Sequence, residues 1–363
     1  MNSKKDLIFI IPDLQVGGAQ KVLVYLINFL ATKKFNIKLI ILDRFTRTFK
    51  LSSKIKIINL NLYKKSKNIF EKIYYNLKRI KKIRSELKKE KKATVISFLT
   101  TTNILSIIAN IGLRRKLIVN ERNDIVNQKI SFIWKILRIV LYCLVFKIVK
   151  NIPNNKTENK FLFKRKTIFI PNPLISNAII KNKFKREKII LTVARLNYQK
   201  NISLLIRSFA KSIAIKNNWK LIILGKGSEK NKLKSECYKL NIVKHVFFKG
   251  FIKNINYWYK KSAIFILSSR FEGMPNALIE AISFKLPVIG SNIPGIKFFI
   301  KNNNTGLLFD NNNENSLVKS INYYIKNENK RTQLSRNAYK KLIRVCNPNI
   351  FLNDWQKILN ETN

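Results

Sequence analysis

Short apolar runs alternate along the chain with longer segments of helical period. Leu7–Pro12, Lys38–Asp43, Ile55–Leu60, Thr94–Leu99 and Lys116–Asn120 are rich in Ile, Leu and Val and do not alternate in polarity. That is the pattern of strands covered on both faces. A second series, Lys188–Ala194, Lys220–Leu224, Val246–Lys249, Ala263–Ser269 and Pro287–Gly290, repeats it, again with helical stretches between the runs. Strands that alternate with helices make parallel sheets, because a parallel pair needs a crossover long enough to hold a helix. The expected fold class is therefore α/β, with two doubly wound parallel-sheet domains. Pro171-Asn172-Pro173 and the polar, basic stretch Asn177–Lys188 separate the two series and read as a linker. The expected boundaries are 1–175 and 188–345 for the domains, 176–187 for the linker, and a last helix over Ile350–Leu359 within 346–363.

The length of 363 residues and a 46% hydrophobic content are enough for two cores. Lys and Arg number 72 against 19 Asp and Glu, a net charge of +53. The charge is spread evenly, with 38 basic and 9 acidic residues in 1–180 and 34 and 10 in 181–363. Lys, Asn and Ile share A/T-rich codons, so genomic bias is one source of the lysine. Attraction to an anionic surface is the other reading, and both stay open. Three cysteines without a C-x-x-C pair (Cys143, Cys237, Cys346) and one histidine, His245, exclude a disulfide scaffold, a zinc cluster and haem or iron–sulfur attachment. A reducing compartment fits this usage. Met1–Asp6 is polar and the apolar run behind it is shorter than a secretory core, so the expected location is cytoplasmic.

Open parallel sheets bind ligands beyond the carboxyl ends of their strands, and three segments there carry candidate chemistry. The first strand runs into Gly17-Gly18-Ala19, where a strand-to-helix turn brings backbone N–H groups close to any phosphate. In the second domain Arg195 and Lys200 follow the first strand, two cations able to neutralise a diphosphate. Ser268-Ser269-Arg270-Phe271-Glu272-Gly273-Met274-Pro275-Asn276-Ala277-Leu278-Ile279-Glu280-Ala281 then joins an apolar strand to a helix, with Asn276 expected as N-cap. Two of the 19 acids fall in this one segment, and a carboxylate accepts two hydroxyl hydrogen bonds, as a ribose diol or a hexose presents.

With these residues in order, the chain resembles the retaining glycosyltransferases of family 4, which have the GT-B fold. The resemblance rests on Glu272-x7-Glu280, Arg195-x4-Lys200, Gly17-Gly18-Ala19, Ile170-Pro171-Asn172-Pro173, Gly225-Lys226-Gly227 and Gly250-Phe251, which span most of the chain. It implies two Rossmann-like domains facing across a cleft, an acceptor-binding first domain, and a final helix that returns to it. It implies that Arg195 and Lys200 hold the diphosphate of a nucleotide sugar, Glu280 the ribose diol, and Glu272 the transferred sugar. Gly273, Met274, Pro275, Asn276 and Ala277 would border the donor with their backbone, Gly225 would lie in a donor loop, and Gly250 with Phe251 would flank the base. Bacterial enzymes building O-antigen, capsule or lipid-linked oligosaccharides look most similar, partly through Asn120-Glu121-Arg122-Asn123-Asp124.

Metal-dependent transferases of the other common fold place a D-x-D pair on a cation, and no two acids here stand two positions apart. The expectation is an enzyme without metal or other cofactor, transferring from a nucleotide diphosphate sugar, with UDP as the expected carrier. Many family members carry a histidine near the reacting carbon, whereas His245 lies in the second domain and reads as structural. Glu121, Arg122 or Asp124 would take that place, with Asp124 the chosen candidate.

The acceptor leaves a fainter trace. Residues 51–92 carry 15 basic and 3 acidic residues, and Asn68–Lys92 puts Ile69, Ile73, Leu77, Ile80, Ile83 and Leu87 on one helical stripe. Ile130–Val149 is richer in apolar residues, but Lys135, Arg138 and Lys147 interrupt it, which excludes a spanning helix and leaves one at a membrane interface or buried between domains. Peripheral attachment to an anionic membrane and a saccharide or polyprenyl-diphosphate-linked acceptor are the expected partners. A nucleic-acid-binding protein is the rival on charge, but no nucleic-acid motif is present and a specific nucleic acid is not expected. A dinucleotide-dependent oxidoreductase is the rival on fold, and it lacks the G-x-G-x-x-G turn.

Overall fold

The computed structural model describes residues 5–15, 17–45, 48–64, 68–125, 127–128, 130–153, 166–175 and 185–362. Two compact units emerge, Met1–Ile175 with Pro348–Asn363, and Ser176–Asn347. In unit 1 the strands β1 (Lys5–Ile11), β2 (Phe35–Ile41), β3 (Ile55–Asn59), β4 (Thr94–Phe98), β5 (Leu117–Glu121), β6 (Lys147–Lys150) and β7 (Thr167–Phe169) form one parallel sheet in the order 3-2-1-4-5-6-7. Its crossovers include α1 (Gly18–Leu30), α2 (Ile69–Lys88), α3 (Thr100–Asn110) and α4 (Phe132–Leu141).

Strand β1 shows why its residues are almost all apolar. Leu7, Phe9 and Ile11 join a core with α1, while Ile8 and Ile10 join the opposite core with α2 and α3. Successive side chains leave a strand on opposite faces, so a strand between two helical layers has no wet face to mark with polar residues.

Unit 2 is built the same way from β8 (Glu187–Val193), β9 (Lys220–Leu224), β10 (Val246–Gly250), β11 (Ser262–Leu267), β12 (Val288–Ser291) and β13 (Leu307–Phe309), parallel in the order 10-9-8-11-12-13. Helices α5 (Ile202–Lys211), α6 (Lys230–Lys239), α7 (Ile255–Lys261), α8 (Asn276–Ser283), α9 (Pro294–Lys297), α10 (Glu314–Lys326) and α11 (Glu328–Val345) follow in chain order. The last helix, α12 (Pro348–Asn360), buries Phe351, Trp355 and Ile358 in the α1 side of the unit 1 core. In each sheet the chain reverses direction of growth between its first and fourth strands, β1 and β4 or β8 and β11, which are hydrogen-bonded neighbours. In open parallel sheets this reversal point, at the carboxyl edge, is where ligands bind.

Three readings of the sequence change. The apolar run Ile130–Val149 is not one helix: α4 ends at Leu141, a short 3₁₀ turn covers Tyr142–Leu144, and the chain re-enters the sheet as β6. Strands β6, β7 and β13 were not anticipated, because runs of three or four residues carry too little period. Glu187 and Lys188 lie inside β8, and Arg186, just ahead of it, is tied into unit 2; 176–184 of the expected linker lies outside the described residues. His245 stands at the end of a 3₁₀ turn before β10, its Nδ1 3.3 Å from the Trp219 carbonyl.

Candidate active site

The loops after β8 and β11 stand on either side of the reversal point of the second sheet and are laced together. Gln199 Nε2 donates to the Phe271 carbonyl at 2.9 Å, and the Arg270 amide donates to the Gln199 carbonyl at 2.8 Å. Ser268 Oγ donates to the carbonyls of Lys200 and Asn201 at 3.0 and 3.1 Å. On this frame Lys200 Nζ forms an ion pair with Glu272, whose carboxylate also accepts from Ser269 Oγ at 2.6 Å. Glu272 is 6% exposed. Such a buried pair is held in one geometry because neither charge can be returned to water without loss of the other's partner.

Arg195 differs from Lys200. It is exposed and has no ion pair among the described residues, and its flanks are pinned by backbone bonds from Ala194 to Leu224 and from Leu196 to Lys226. That close packing explains two of the glycines: a Cβ on Gly225, whose φ is +143°, would overlap the Ala194 carbonyl, and one on Gly227 would overlap that of Leu196. Gly225 also donates its amide to the Gly250 carbonyl at 2.8 Å, which brings the loops after β9 and β10 together beside a half-exposed Phe251.

Glu280 lies in the second turn of α8. Tyr259, fully buried and stacked on Phe284 at 5.4 Å, donates its hydroxyl to Glu280 Oε2 at 3.1 Å. Burial, and then the neighbouring Glu280, raise the Tyr259 phenol well above its ordinary value, so it stays a donor. The N-cap of α8 is Pro275 rather than Asn276: its extended ψ of 110° turns its carbonyl onto the amides of Leu278 and Ile279. Asn276 and Ala277 therefore sit inside the first turn, and Gly273, Met274 and Pro275 are buried in the approach to it. Gly295, at the start of α9, comes so close that a Cβ there would overlap the Gly273 carbonyl.

Tyr259, Gln199, Ser269 and Gly295 were not singled out from the sequence. An aromatic on a helical stretch reads as core and a lone Gln or Ser as surface; only Pro294-Gly295, a turn signal after a strand, could have been noticed.

Unit 1 holds the remaining candidates. Gly17 is the N-cap of α1 with an extended φ of −165°, and Gly18 is its first residue, so neither needs a left-handed backbone. Glu121 is buried and accepts from Thr100 Oγ1 at 2.8 Å and from the Tyr142 hydroxyl. Asp124 is also buried and accepts from the amide and the side-chain nitrogen of Asn127 at 3.1 and 2.8 Å, which organises the turn after β5. Arg122 donates from Nη1 to Asn172 Oδ1 at 2.6 Å, and burial lowers its guanidinium to about 9. The Asn of the Pro-Asn-Pro motif thus holds an arginine at the sheet edge.

Comparison with known proteins agrees with this architecture. The family model described as glycosyl transferases group 1 matches residues 176–341. A Campylobacter jejuni protein, GalNAc-alpha-(1->4)-GalNAc-alpha-(1->3)-diNAcBac-PP-undecaprenol alpha-1,4-N-acetyl-D-galactosaminyltransferase, is 30% identical over 357 residues, covering 97% of this chain and 98% of its own. A second C. jejuni protein, N-acetylgalactosamine-N,N'-diacetylbacillosaminyl-diphospho-undecaprenol 4-alpha-N-acetylgalactosaminyltransferase, is 27% identical and covers 89% of this chain and 90% of its own. Among solved structures, TarM superposes with a TM-score of 0.81 at 15% identity, covering 100% of this chain and 99% of its own. Anabaena HepE in complex with UDP and glucose superposes with 0.76 at 14% identity, covering 98% and 100%.

Two doubly wound parallel units, together with the similarity to named glycosyltransferases over almost the whole chain, define a hexosyltransferase of the GT-B fold. The chain belongs to the group 1 glycosyl transferases.

Proposed function

We propose that this chain is a retaining, metal-independent glycosyltransferase of family 4. In this reading it moves a sugar from a UDP-linked donor to a saccharide or polyprenyl-diphosphate-linked acceptor in cell-surface glycan synthesis. The observation that carries the reading is the orientation of the two acids: Glu272 by Lys200 and Ser269, Glu280 by Tyr259. Glu280 accepts the two hydroxyls of the donor ribose, and Glu272 contacts the transferred sugar. Arg195, exposed and without an ion pair among the described residues, takes the diphosphate together with Lys200, whose ammonium has donors beyond the one given to Glu272. The backbone from Gly273 to Ala277 borders the donor, Gly225, Gly250 and Phe251 flank the base, and Gly17 and Gly18 at the start of α1 serve the donor phosphates.

As the bond to the anomeric carbon breaks, positive charge grows beside the leaving diphosphate. An oxygen of that diphosphate takes the proton of the attacking hydroxyl, and fixed cations stabilise the charge left behind. Uridine is favoured by two UDP-bound neighbours, HepE and Staphylococcus aureus TarM, and N-acetylgalactosamine by the names of the two Campylobacter relatives.

A thermal-shift screen of uridine, guanosine and adenosine diphosphate sugars tests the donor. The matching one at a hundredfold excess over its Kd should add about 2.7 kcal/mol, and Glu280→Ala should remove that shift. No response to any uridine nucleotide would refute the donor assignment. In the same screen Asp124→Asn, which preserves an acceptor for the Asn127 amide, should keep the shift yet lose transfer if the carboxylate serves the acceptor.

The membrane is the second partner proposed. No helix among the described residues is long and apolar enough to cross one. Instead, the first turns of α2 expose Ile69, Phe70, Ile73, Tyr74 and Leu77, and α4 exposes Phe132, Ile133, Ile136 and Val140. Only the far end of the α2 stripe, Ile83 and Leu87, is buried. Apolar side chains among lysines suit an anionic lipid surface. The protein should sediment with anionic vesicles at low salt and be released at high salt; equal sedimentation with neutral vesicles would count against it.

A further inference from the structure

Arg122 leaves β5 at the carboxyl edge of the first sheet and is 7% exposed. Its Nη1 is used by Asn172, and its guanidinium lies over the Phe98 ring at 5.5 Å. Nε and Nη2 are both buried and have no hydrogen-bond partner among the described residues. These two nitrogens form one edge of the guanidinium fork, the edge that takes a carboxylate or phosphate through two parallel bonds.

The surroundings are similarly unfinished. Asn120, two residues back and fully buried, leaves both side-chain atoms unpartnered, and Asn151 leaves its Oδ1 so, although its amide reaches toward the same Asn172 oxygen at 3.4 Å. Each unmade bond on a buried polar group costs roughly 1–3 kcal/mol, and here five such atoms gather at one sheet edge. Beside them Leu99, next in chain to Phe98, holds φ +75° and ψ 140°, a conformation that bulky residues avoid. Strain of this kind concentrates where a ligand is bound.

We propose that the Nε/Nη2 edge of Arg122 is the seat of a phosphate-type oxyanion on a hydroxyl-bearing substrate, with Asn120 and Asn151 receiving its hydroxyls. Arg122 is thus a second binding point for diphosphate chemistry, separate from Arg195 and Lys200. The assignment of that diphosphate to the acceptor rests on the acceptor reading above; the anion seat itself does not.

The test uses the full chain, inorganic pyrophosphate as the probe, and enough salt to screen exposed lysines. Calorimetry should give pyrophosphate affinity that falls roughly tenfold to a hundredfold in Arg122→Met, with UDP binding unchanged. Lys135→Met, which removes an exposed charge from α4, should change neither. Pyrophosphate affinity should persist when UDP saturates the protein, which assigns the seat to the acceptor; competition by UDP would mean that pyrophosphate sits at the donor loops and would overturn a second seat. If instead Arg122→Met melts at a lower temperature and binds pyrophosphate as the parent does, Arg122 is a structural residue and the proposal fails. Should Arg122→Met not fold, Arg122→Lys, which keeps the charge but loses the two-pronged edge, must show the same selective loss. Absence of any UDP response in the parent would refute the donor reading alone.

Discussion

Replacing Glu272 by Gln is expected to lower transfer by about two to three orders of magnitude, while UDP affinity stays within roughly tenfold of the parent. Gln preserves shape and one acceptor for Ser269, but it removes the charge that holds Lys200. Lys200 has a side chain only 14% exposed. A cation left in that setting must find water or move, and removing one partner of a buried pair typically costs about 3–5 kcal/mol. The variant should therefore also melt lower. Lys200→Met should do the same damage, and the double variant should lose much less than the sum, because the second change removes the orphan that the first creates. Additive losses in a double-mutant cycle would mean that the two residues act separately and that the pair does not position the donor.

The second large effect concerns stability. Arg186→Ala should lower the melting temperature of unit 2 by roughly 10 °C, from a loss of about 3–5 kcal/mol at a few degrees per kcal/mol. Arg186 donates from Nη1 to the carbonyls of Tyr259 and Ser262 at 3.2 and 2.6 Å, and from Nη2 to those of Phe284 and Lys285 at 2.7 and 3.2 Å. These carbonyls lie at the ends of α7 and α8, where helices leave acceptors unsatisfied and carry partial negative charge. One planar fork thus ties the entry of β8 to the two helices that carry Tyr259 and Glu280. Differential scanning calorimetry on the full chain reads the effect; an unchanged profile would mean that water replaces the guanidinium at no cost. Lys cannot reach both helix ends at once, so Arg186→Lys should recover only part of the loss.

The strands, the two-unit order and the edge loops were legible because their signals are local. An apolar run of five or six residues needs no partner to be recognised, and Arg195, Lys200 and Glu272 follow such runs within six residues, with Glu280 in the helix beyond. Scarcity helped as well: two acids among 19 in one segment stand out against a background of lysine. The Ile130–Val149 run failed because helix and strand share one uninterrupted apolar stretch, so no change of period marks the break at Tyr142.

By itself the sequence determined the longer strands and helices, though not β6, β7 or β13, and which residues follow those strands. Only the tertiary structure decided who meets whom. Lys200 and Glu272 are 72 residues apart and Arg122 and Asn172 are 50 apart, and nothing in the spacing of either pair announces the contact. Arg186 lies in a stretch that composition marks as solvated, yet it meets four carbonyls brought to it by a strand and two helices. The physical reason is the same in each case: secondary structure follows from side-chain period and backbone sterics within a few residues, whereas a charge's partner and its burial are set by how parallel strands order themselves in the sheet.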